Sequence, residues 1–368
     1  MARVAHIMDD RRKNREGNRI LIAASGTGGH LFPAIATAEH VNSPIEWLGV
    51  PDRLETELVP EQYSLHTVRM GGVQGKPGLG TFKIFTQLVQ ATLATRRLLN
   101  QGNFRGVFTT GGYIAAPAIL AARSLGLPTV LHESNAMPGK VTRWLSPWCS
   151  LVAIGFKETR QYLPKQAKTR WVGTPVRSQF LADSNATLTE VDIPDDVPLI
   201  VVVGGSQGAV SVNQLVRAAA PTWLKAGAWI VHQTGTNDPD TDSLHHAHYI
   251  HRPFFKNVAA LFKRATLVIS RAGAGTLTEL AMTHTPSILI PYPFAADNHQ
   301  AYNADAFGKV GASKVYCQAE LDGHTLEQRV LALLETPEEL DCMRVAAEAL
   351  AVNDSAQQVA KLLQQIMG

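Results

Sequence analysis

Two segments of this chain share one grammar, and that repetition constrains the fold more than any other feature. RILIAASGTGGHLFPAIATAEHV, starting at Arg19, runs from an apolar stretch over Ile20 to Ala24 through a glycine-rich turn into an apolar helical pattern. PLIVVVGGSQGAVSVNQLVRAA, starting at Pro198, repeats it: Leu199 to Val203 is continuously apolar, Gly204 to Gly208 is the turn, and a helix follows. A strand apolar at every position is buried on both faces, as in a parallel sheet covered by helices. Each half therefore opens its own Rossmann-like unit, and a chain of 368 residues is long enough for two domains. The expected fold class is α/β, two Rossmann-like domains whose parallel sheets face a central cleft.

Further strand, turn and helix units follow. In the first half, Gly106 to Thr110 leads into a helix around Ala116 to Ala122, and Thr129 to Leu131 leads into HESNAMPGK. In the second, Trp229 to Val231, Thr266 to Ser270 and Ser287 to Pro291 each run into Gly- or polar-rich loops. Ligands of open parallel sheets sit beyond the carboxyl ends of the strands, so both halves aim their loops at a shared cleft. The expected organisation is a flexible basic tail over 1–18, a first domain over 19–176 and a second over 177–353. The last helix, 354–368, has Val359, Leu362, Leu363 and Ile366 on one face behind a capping-box pair, Ser355 and Gln358, and is expected to return to the first domain.

Charge and cysteine usage bound the setting. The net charge of +3 hides a split: residues 1–176 carry 21 Lys and Arg against 11 Asp and Glu, a net +10, and residues 177–368 a net −7. Such asymmetry suits an anionic partner for the first half. The polar, basic start lacks the apolar core of a secretory signal, and the longest uncharged stretch, between Arg105 and Arg123, is broken by Gly and Pro. Three scattered cysteines without a CxxC pair give no disulfide or metal framework and suit a reducing compartment.

Three glycine-rich turns at strand ends carry the chemistry. In Gly26-Thr27-Gly28-Gly29-His30 the absence of bulk lets backbone N–H groups approach a diphosphate or its sugar neighbour, and His30 is placed to take a proton from a hydroxyl. Gly204 to Gly208 repeats the backbone logic and adds the hydroxyl of Ser206. The third, Arg271 to Glu279, puts Ala274, Gly275 and Thr276 at a helix start with a carboxylate one turn inside, where it can accept ribose hydroxyl protons. Asp238-Pro239-Asp240 has the look of a metal-binding DxD but lies in TNDPDTDS, which reads as a surface turn; the cluster His245, His246, His248 and His251 lacks carboxylate or Cys partners at ligand spacing. Neither a metal nor a cofactor is expected, and no Walker signature occurs.

Taken in order, GTGGHLFPA, GGYIAAPA, HESNAMPGK, GTPVR, VVGGSQGA, SRAGAGTLTEL and DNHQAYNA resemble glycosyltransferase family 28, the muramoyl-pentapeptide N-acetylglucosaminyltransferases, from Arg19 onward. The resemblance implies a GT-B fold and an inverting transfer of N-acetylglucosamine from UDP-N-acetylglucosamine to the C4 hydroxyl of lipid I, giving lipid II in peptidoglycan synthesis. It implies donor contacts from Thr27, Gly28, Gly29 and Asn135, diphosphate contacts from Arg177 and Ser206, and a uracil-side residue in Phe255. It further implies a nucleotide loop of Ala274, Gly275, Thr276, Leu277, Thr278 and Glu279, with Glu279 on the ribose, a sugar contact from Gln300, and His30 as the catalytic group. Ser134, where the family usually has Gln, and His299 depart from its pattern, as does an unusually long charged tail before Arg19. Another GT-B enzyme, either a glycolipid glycosyltransferase or a UDP-sugar epimerase, and a non-catalytic nucleotide-sugar binding protein are the alternatives; an epimerase needs acid and base carboxylates that the motifs do not supply.

A lipid-linked acceptor implies a peripheral protein on the cytoplasmic face of the inner membrane, with cell-wall synthesis proteins as further partners and no nucleic acid. Phe82, Phe85, Leu88 and Val89 at helical spacing, flanked by Lys83, Arg96 and Arg97, are the expected membrane contact, part of this face lying exposed.

Overall fold

The computed structural model describes residues 18–71, 79–181, 188–205 and 208–368, and residues 79–83 by their backbone alone. Residues 1–17 of the basic tail, Ser206, and the side chains of Phe82 and Lys83 lie outside the described residues. Contacts divide the chain into two compact units. The first holds residues up to Ser134, Pro138–Pro175 and Asp354–Gly368; the second holds Asn135–Met137 and Val176–Asn353.

The first unit is built on seven parallel strands: β1 (Arg19–Ala23), β2 (Ile45–Gly49), β3 (Ser64–Thr67), β4 (Phe104–Thr109), β5 (Thr129–Glu133), β6 (Leu151–Ile154) and β7 (Thr169–Trp171). Their order is β3-β2-β1-β4-β5-β6-β7. The second unit has six: β8 (Leu199–Val203), β9 (Trp229–Gln233), β10 (Tyr249–Arg252), β11 (Leu267–Ser270), β12 (Ser287–Leu289) and β13 (Ser313–Val315), ordered β10-β9-β8-β11-β12-β13. All pairings in both sheets are parallel. In each sheet the strand order reverses beside the first strand, so the loops after β1 and β4, and those after β8 and β11, flank a crevice suited to a ligand. The centres of both sheets are sealed: Ile20, Leu21, Ile22, Ile200, Val201 and Val202 are all buried.

The terminal helix Ser355–Met367 packs Val359, Leu362, Leu363 and Met367 into the core of the first unit beside the helix Gly28–Ala38. Each such side chain contributes ~1.5–3 kcal/mol when withdrawn from water. Gly106 on β4 makes this packing possible, because a Cβ there would collide with Met367. The expected capping box does not form. The cap is Asp354, whose Oδ1 accepts from Gln358 Nε2 at 2.7 Å, while the Ser355 hydroxyl is buried without a hydrogen-bond partner.

The helix Leu79–Gln101 lies against the helix Ala115–Ser124 and buries Ala91, Thr95 and Leu99 at four-residue spacing. Its opposite side is apolar and open, with Phe85, Val89 and Leu93 exposed by 62%, 42% and 50%. Leu88 is half-buried, and Arg96 and Arg97 are exposed one to two turns on. Among the described residues no helix is long and apolar enough to cross a membrane.

Candidate active site

In the first unit the turn after β1 needs glycine at Gly26, whose φ is +101°. Thr27 then occupies the N-cap of the helix Gly28–Ala38 in extended conformation without a side-chain capping bond. Thr27 and Gly29 are exposed, and the first N–H groups of this helix point toward the end that favours negative charge. His30 is gripped from the loop after β4. Its Nδ1 lies 2.8 Å from the Thr110 carbonyl oxygen, and the Thr110 hydroxyl donates to the His30 carbonyl at 2.8 Å. A carbonyl only accepts, so Nδ1 carries the proton in this contact and the lone pair is left on Nε2. Gly111 and Gly112, with φ of +93° and +73°, form the floor beneath the ring. A Cβ on either would come within 3.4 Å of an imidazole atom.

A residue with no sequence signature supports the same turn from the β2 side. Glu55 is 0% exposed; its Oε2 accepts from the Gly26 N–H at 3.2 Å and its Oε1 from the Val50 N–H at 2.7 Å. On the β5 side, His132 Nε2 lies 3.0 Å from the Gly173 carbonyl, and burial lowers its pKa against the pull of that carbonyl, which keeps the ring neutral. Glu133 Oε2 accepts from the Gly139 N–H and the Thr142 hydroxyl, closing the HESNAMPGK loop on itself.

The second unit gathers the predicted nucleotide residues. The helix Ala274–Met282 starts on Gly273 without a side-chain cap, so its first N–H groups have no intrahelical partner. Glu279, one turn in, forms an ion pair with Arg177: Nη2 to Oε1 is 2.8 Å. Burial raises the Glu279 pKa, and Arg177 opposes that rise. Within the loop, Leu277 is in the core and the Thr278 hydroxyl is spent on the Ala274 carbonyl at 2.9 Å, so these two contribute through the main chain. The Phe255 ring is 1% exposed and its N–H donates to Gln233 Oε1 at 3.1 Å.

Asn303, which lies within DNHQAYNA but is not among the residues the resemblance singles out, links Asn135 to the third glycine turn. Asn303 is fully buried; its Nδ2 donates to Asn135 Oδ1 and to the Ala272 carbonyl, both at 3.1 Å, and its Oδ1 accepts from the Ala136 N–H at 2.8 Å. This pairing explains why Asn135–Met137 groups with the second unit rather than with the strands that flank it in sequence. Gln300, one turn before Asn303, accepts from the Tyr292 N–H at 2.9 Å, which leaves its amide NH₂ to donate. Arg271 is buried and held entirely by neutral oxygens: the Ile290 and Pro291 carbonyls, Ser211 Oγ at 2.9 Å and Gln318 Oε1 at 2.7 Å. It ties the third glycine turn to the end of β12 and to the helix after the second turn. A cation so placed favours an anionic ligand on those loops.

Asp238-Pro239-Asp240 lies in the surface turn that its composition suggests, with Pro239 and Asp240 exposed, but the Asp238 side chain is turned inward. Asp238 is buried and receives both guanidinium nitrogens of Arg217, at 2.7 and 3.1 Å, and Asn213 Nδ2 at 2.6 Å. Asn213 Nδ2 also donates to the Thr234 carbonyl, and the Thr234 backbone lies where a Cβ on Gly208 would be. The pair therefore shapes the second glycine turn from below. Among the described residues no three His, Cys, Asp or Glu side chains cluster in a way that could hold a metal.

Residues 20–154 match the glycosyltransferase family 28 N-terminal domain, and residues 199–359 match its C-terminal domain. The chain belongs to glycosyltransferase family 28. Relatives from Nostoc sp. (strain PCC 7120) and Trichodesmium erythraeum are 58% and 57% identical over 350 residues, 95% of this chain and 98% and 92% of theirs. Both are named UDP-N-acetylglucosamine--N-acetylmuramyl-(pentapeptide) pyrophosphoryl-undecaprenol N-acetylglucosamine transferase. Among solved structures, MurG of Acinetobacter baumannii superposes with a TM-score of 0.77 at 30% identity, covering 94% of this chain and 99% of that one. A putative UDP-N-acetylglucosamine 2-epimerase from Listeria monocytogenes has a TM-score of 0.66 at 12% identity over 93% of this chain and 94% of that one, a likeness of fold alone. The fold class is thus the two-domain GT-B type of family 28.

The family 28 pattern also locates two of the departures. Ser134 is buried, with its hydroxyl 3.3 Å from His132 Nδ1, so the smaller side chain turns inward onto the strand rather than outward. His299 is tied to its own turn, Nδ1 to the Ala296 carbonyl at 2.8 Å. That turn holds Asp297 and Asn298 at φ of +51° and +55°, a strained entry to the helix His299–Lys309 that carries Gln300.

Proposed function

We infer that this chain transfers N-acetylglucosamine from UDP-N-acetylglucosamine to the C4 hydroxyl of the muramoyl sugar of lipid I, releasing UDP and forming β-linked lipid II with inversion. The observation that carries this reading is near-full-length identity of 57–58% to relatives bearing that transferase's name. The site chemistry agrees with it. His30 Nε2 takes the proton of the attacking hydroxyl, and the departing diphosphate is met by uncapped helix ends, Arg177, Ser206 and the field of Arg271. Thr27, Gly28, Gly29, Asn135 and Gln300 hold the sugar, and Glu279 accepts from the ribose hydroxyls. Supplying lipid I and UDP-N-acetylglucosamine and measuring UDP and lipid II together tests the reading. Nucleotide-sugar binding without UDP release would point to a binding protein, and release of the sugar as its epimer to an epimerase.

Glu279→Ala is expected to weaken UDP and UDP-N-acetylglucosamine to the same degree, because the lost contact belongs to the nucleotide. Its half-buried ion-pair partner Arg177 is released at the same time, so a loss of about tenfold fits the removal of one charged hydrogen bond. Isothermal titration with UDP checks this, and unchanged affinity would remove the ribose role.

The protein works at the cytoplasmic face of the inner membrane in this reading, since its acceptor carries a bilayer-embedded tail. The open stripe of Phe85, Val89 and Leu93 with Arg96 and Arg97 supports helix Leu79–Gln101 as the contact, each basic residue adding ~1 kcal/mol near anionic lipid. Replacing Lys83, Arg96 and Arg97 by Glu should reduce sedimentation with anionic vesicles, most visibly at low salt, while UDP affinity stays unchanged. Undiminished sedimentation would assign the membrane contact elsewhere.

A further inference from the structure

We propose that Glu55 is a positioning residue for the catalytic turn, holding Gly26 so that His30 and the free helix N–H groups keep their working geometry. The inference rests on the functional reading above and concerns a residue outside every motif that supports it.

Glu55 opens the short helix Glu55–Leu58, beyond the end of β2, and reaches back over its own strand. Its two oxygens bridge the ends of adjacent strands, Gly26 after β1 and Val50 after β2. The fit is tight on the strand side as well: a Cβ on Gly49 would lie 2.8 Å from Glu55 Cγ, so glycine is required to admit the side chain. Among the described residues no Lys or Arg pairs with it. A buried carboxylate without a cation costs stability, and a merely structural bridge between two loops does not need one, since a neutral side chain or a water can satisfy backbone N–H groups.

What the carboxylate supplies is two acceptors in one rigid plane. Gly26 sits at a φ that only glycine adopts readily, so the turn has few restraints of its own. The Thr110 contacts hold His30 from the β4 side, and Glu55 holds the start of the same turn from the β2 side. Between these two supports lie Thr27, Gly28 and Gly29. Loss of either support lets the imidazole drift, and a displacement of about 1 Å at a reacting group can cost on the order of 10² in rate.

Glu55→Gln keeps the shape but turns one acceptor into a donor facing an N–H, and Glu55→Asp keeps the charge but withdraws it by one methylene. Both are compared with wild type, His30→Ala, and the Glu55→Gln/His30→Ala double variant. Steady-state turnover, UDP titration, thermal unfolding and ¹⁵N spectra of the His30 ring are read on each. The expected result is a roughly 10- to 100-fold fall in kcat for Glu55→Gln, unchanged UDP affinity, and a double variant about as slow as His30→Ala alone. The Nδ1-protonated ring signal should be sharp in wild type and averaged in Glu55→Gln. Losses that multiply in the double variant, or a wild-type rate and ring signal in Glu55→Gln, overturn the proposal. If Glu55→Gln fails to fold, a folded Glu55→Asp with wild-type kcat and ring signal overturns it equally. The ring spectrum does not depend on turnover, so a protein that never makes lipid II but loses its His30 tautomer with Glu55 would defeat the functional reading and leave this one standing.

Discussion

His30→Ala is expected to lower turnover by about 10²- to 10⁴-fold while UDP binds as before. The size follows from what the side chain is placed to do. Its Nδ1 is committed to the Thr110 carbonyl, which fixes the tautomer and leaves the lone pair on Nε2. Gly111 and Gly112 leave space for the ring and no more. The loops proposed to hold the nucleotide belong to the other unit, which is why UDP affinity should be spared. Single-turnover kinetics with lipid I, set beside UDP titration, decides the matter. A variant with wild-type kcat would transfer the base role to another group or to water, and a parallel loss of UDP affinity would make His30 a binding residue.

The second large effect is on stability. Asp238→Ala should cost about 3–5 kcal/mol, the usual consequence of leaving one member of a buried pair without its partner. Arg217 would keep a buried guanidinium whose remaining carboxylate, on exposed Asp240, is 3.9 Å away. The Asn213 amide would lose its 2.6 Å acceptor, loosening the Thr234 backbone on which Gly208 rests. UDP binding should therefore weaken along with folding. Burial by itself raises the Asp238 pKa, but the bonds from Arg217, Asn213 and the Asp240 N–H outweigh it and hold the carboxyl below its ordinary value. A depressed carboxyl pKa means the stabilisation is present above roughly pH 4, the unfolded value, and is lost as the pH falls through the folded one. Urea unfolding of wild type and variant at pH 7 and pH 3 checks both points: the gap should be wide at pH 7 and narrower at pH 3. Burial and then Arg217 lower the His232 pKa to about 3, so the ring is neutral at pH 7 and begins to protonate only at the acid end of this range.

The amino-acid sequence alone determined that there are two Rossmann-like halves and where their glycine-rich loops begin. An unbroken apolar strand such as Leu199–Val203 is stable only when covered on both faces, and the glycines that follow it allow nothing bulky at the strand end. Both constraints are local, so they can be read from neighbours in the chain. The short strands β3, β7, β10 and β13 carried no comparable signal, because polar or half-exposed residues such as those of Ser64–Thr67 become a strand only by pairing with a sheet already in place. The tertiary structure alone decided how the supporting side chains are used. It buried Asp238 against Arg217 and so made one residue of a surface turn a brace for a glycine turn. It sank the Phe255 ring into the core, put Asn303 beneath Asn135, and brought Glu55 under Gly26. Each of these depends on a partner more than twenty residues away, or on which face of an element meets the sheet, and strand order rather than local pattern sets that distance.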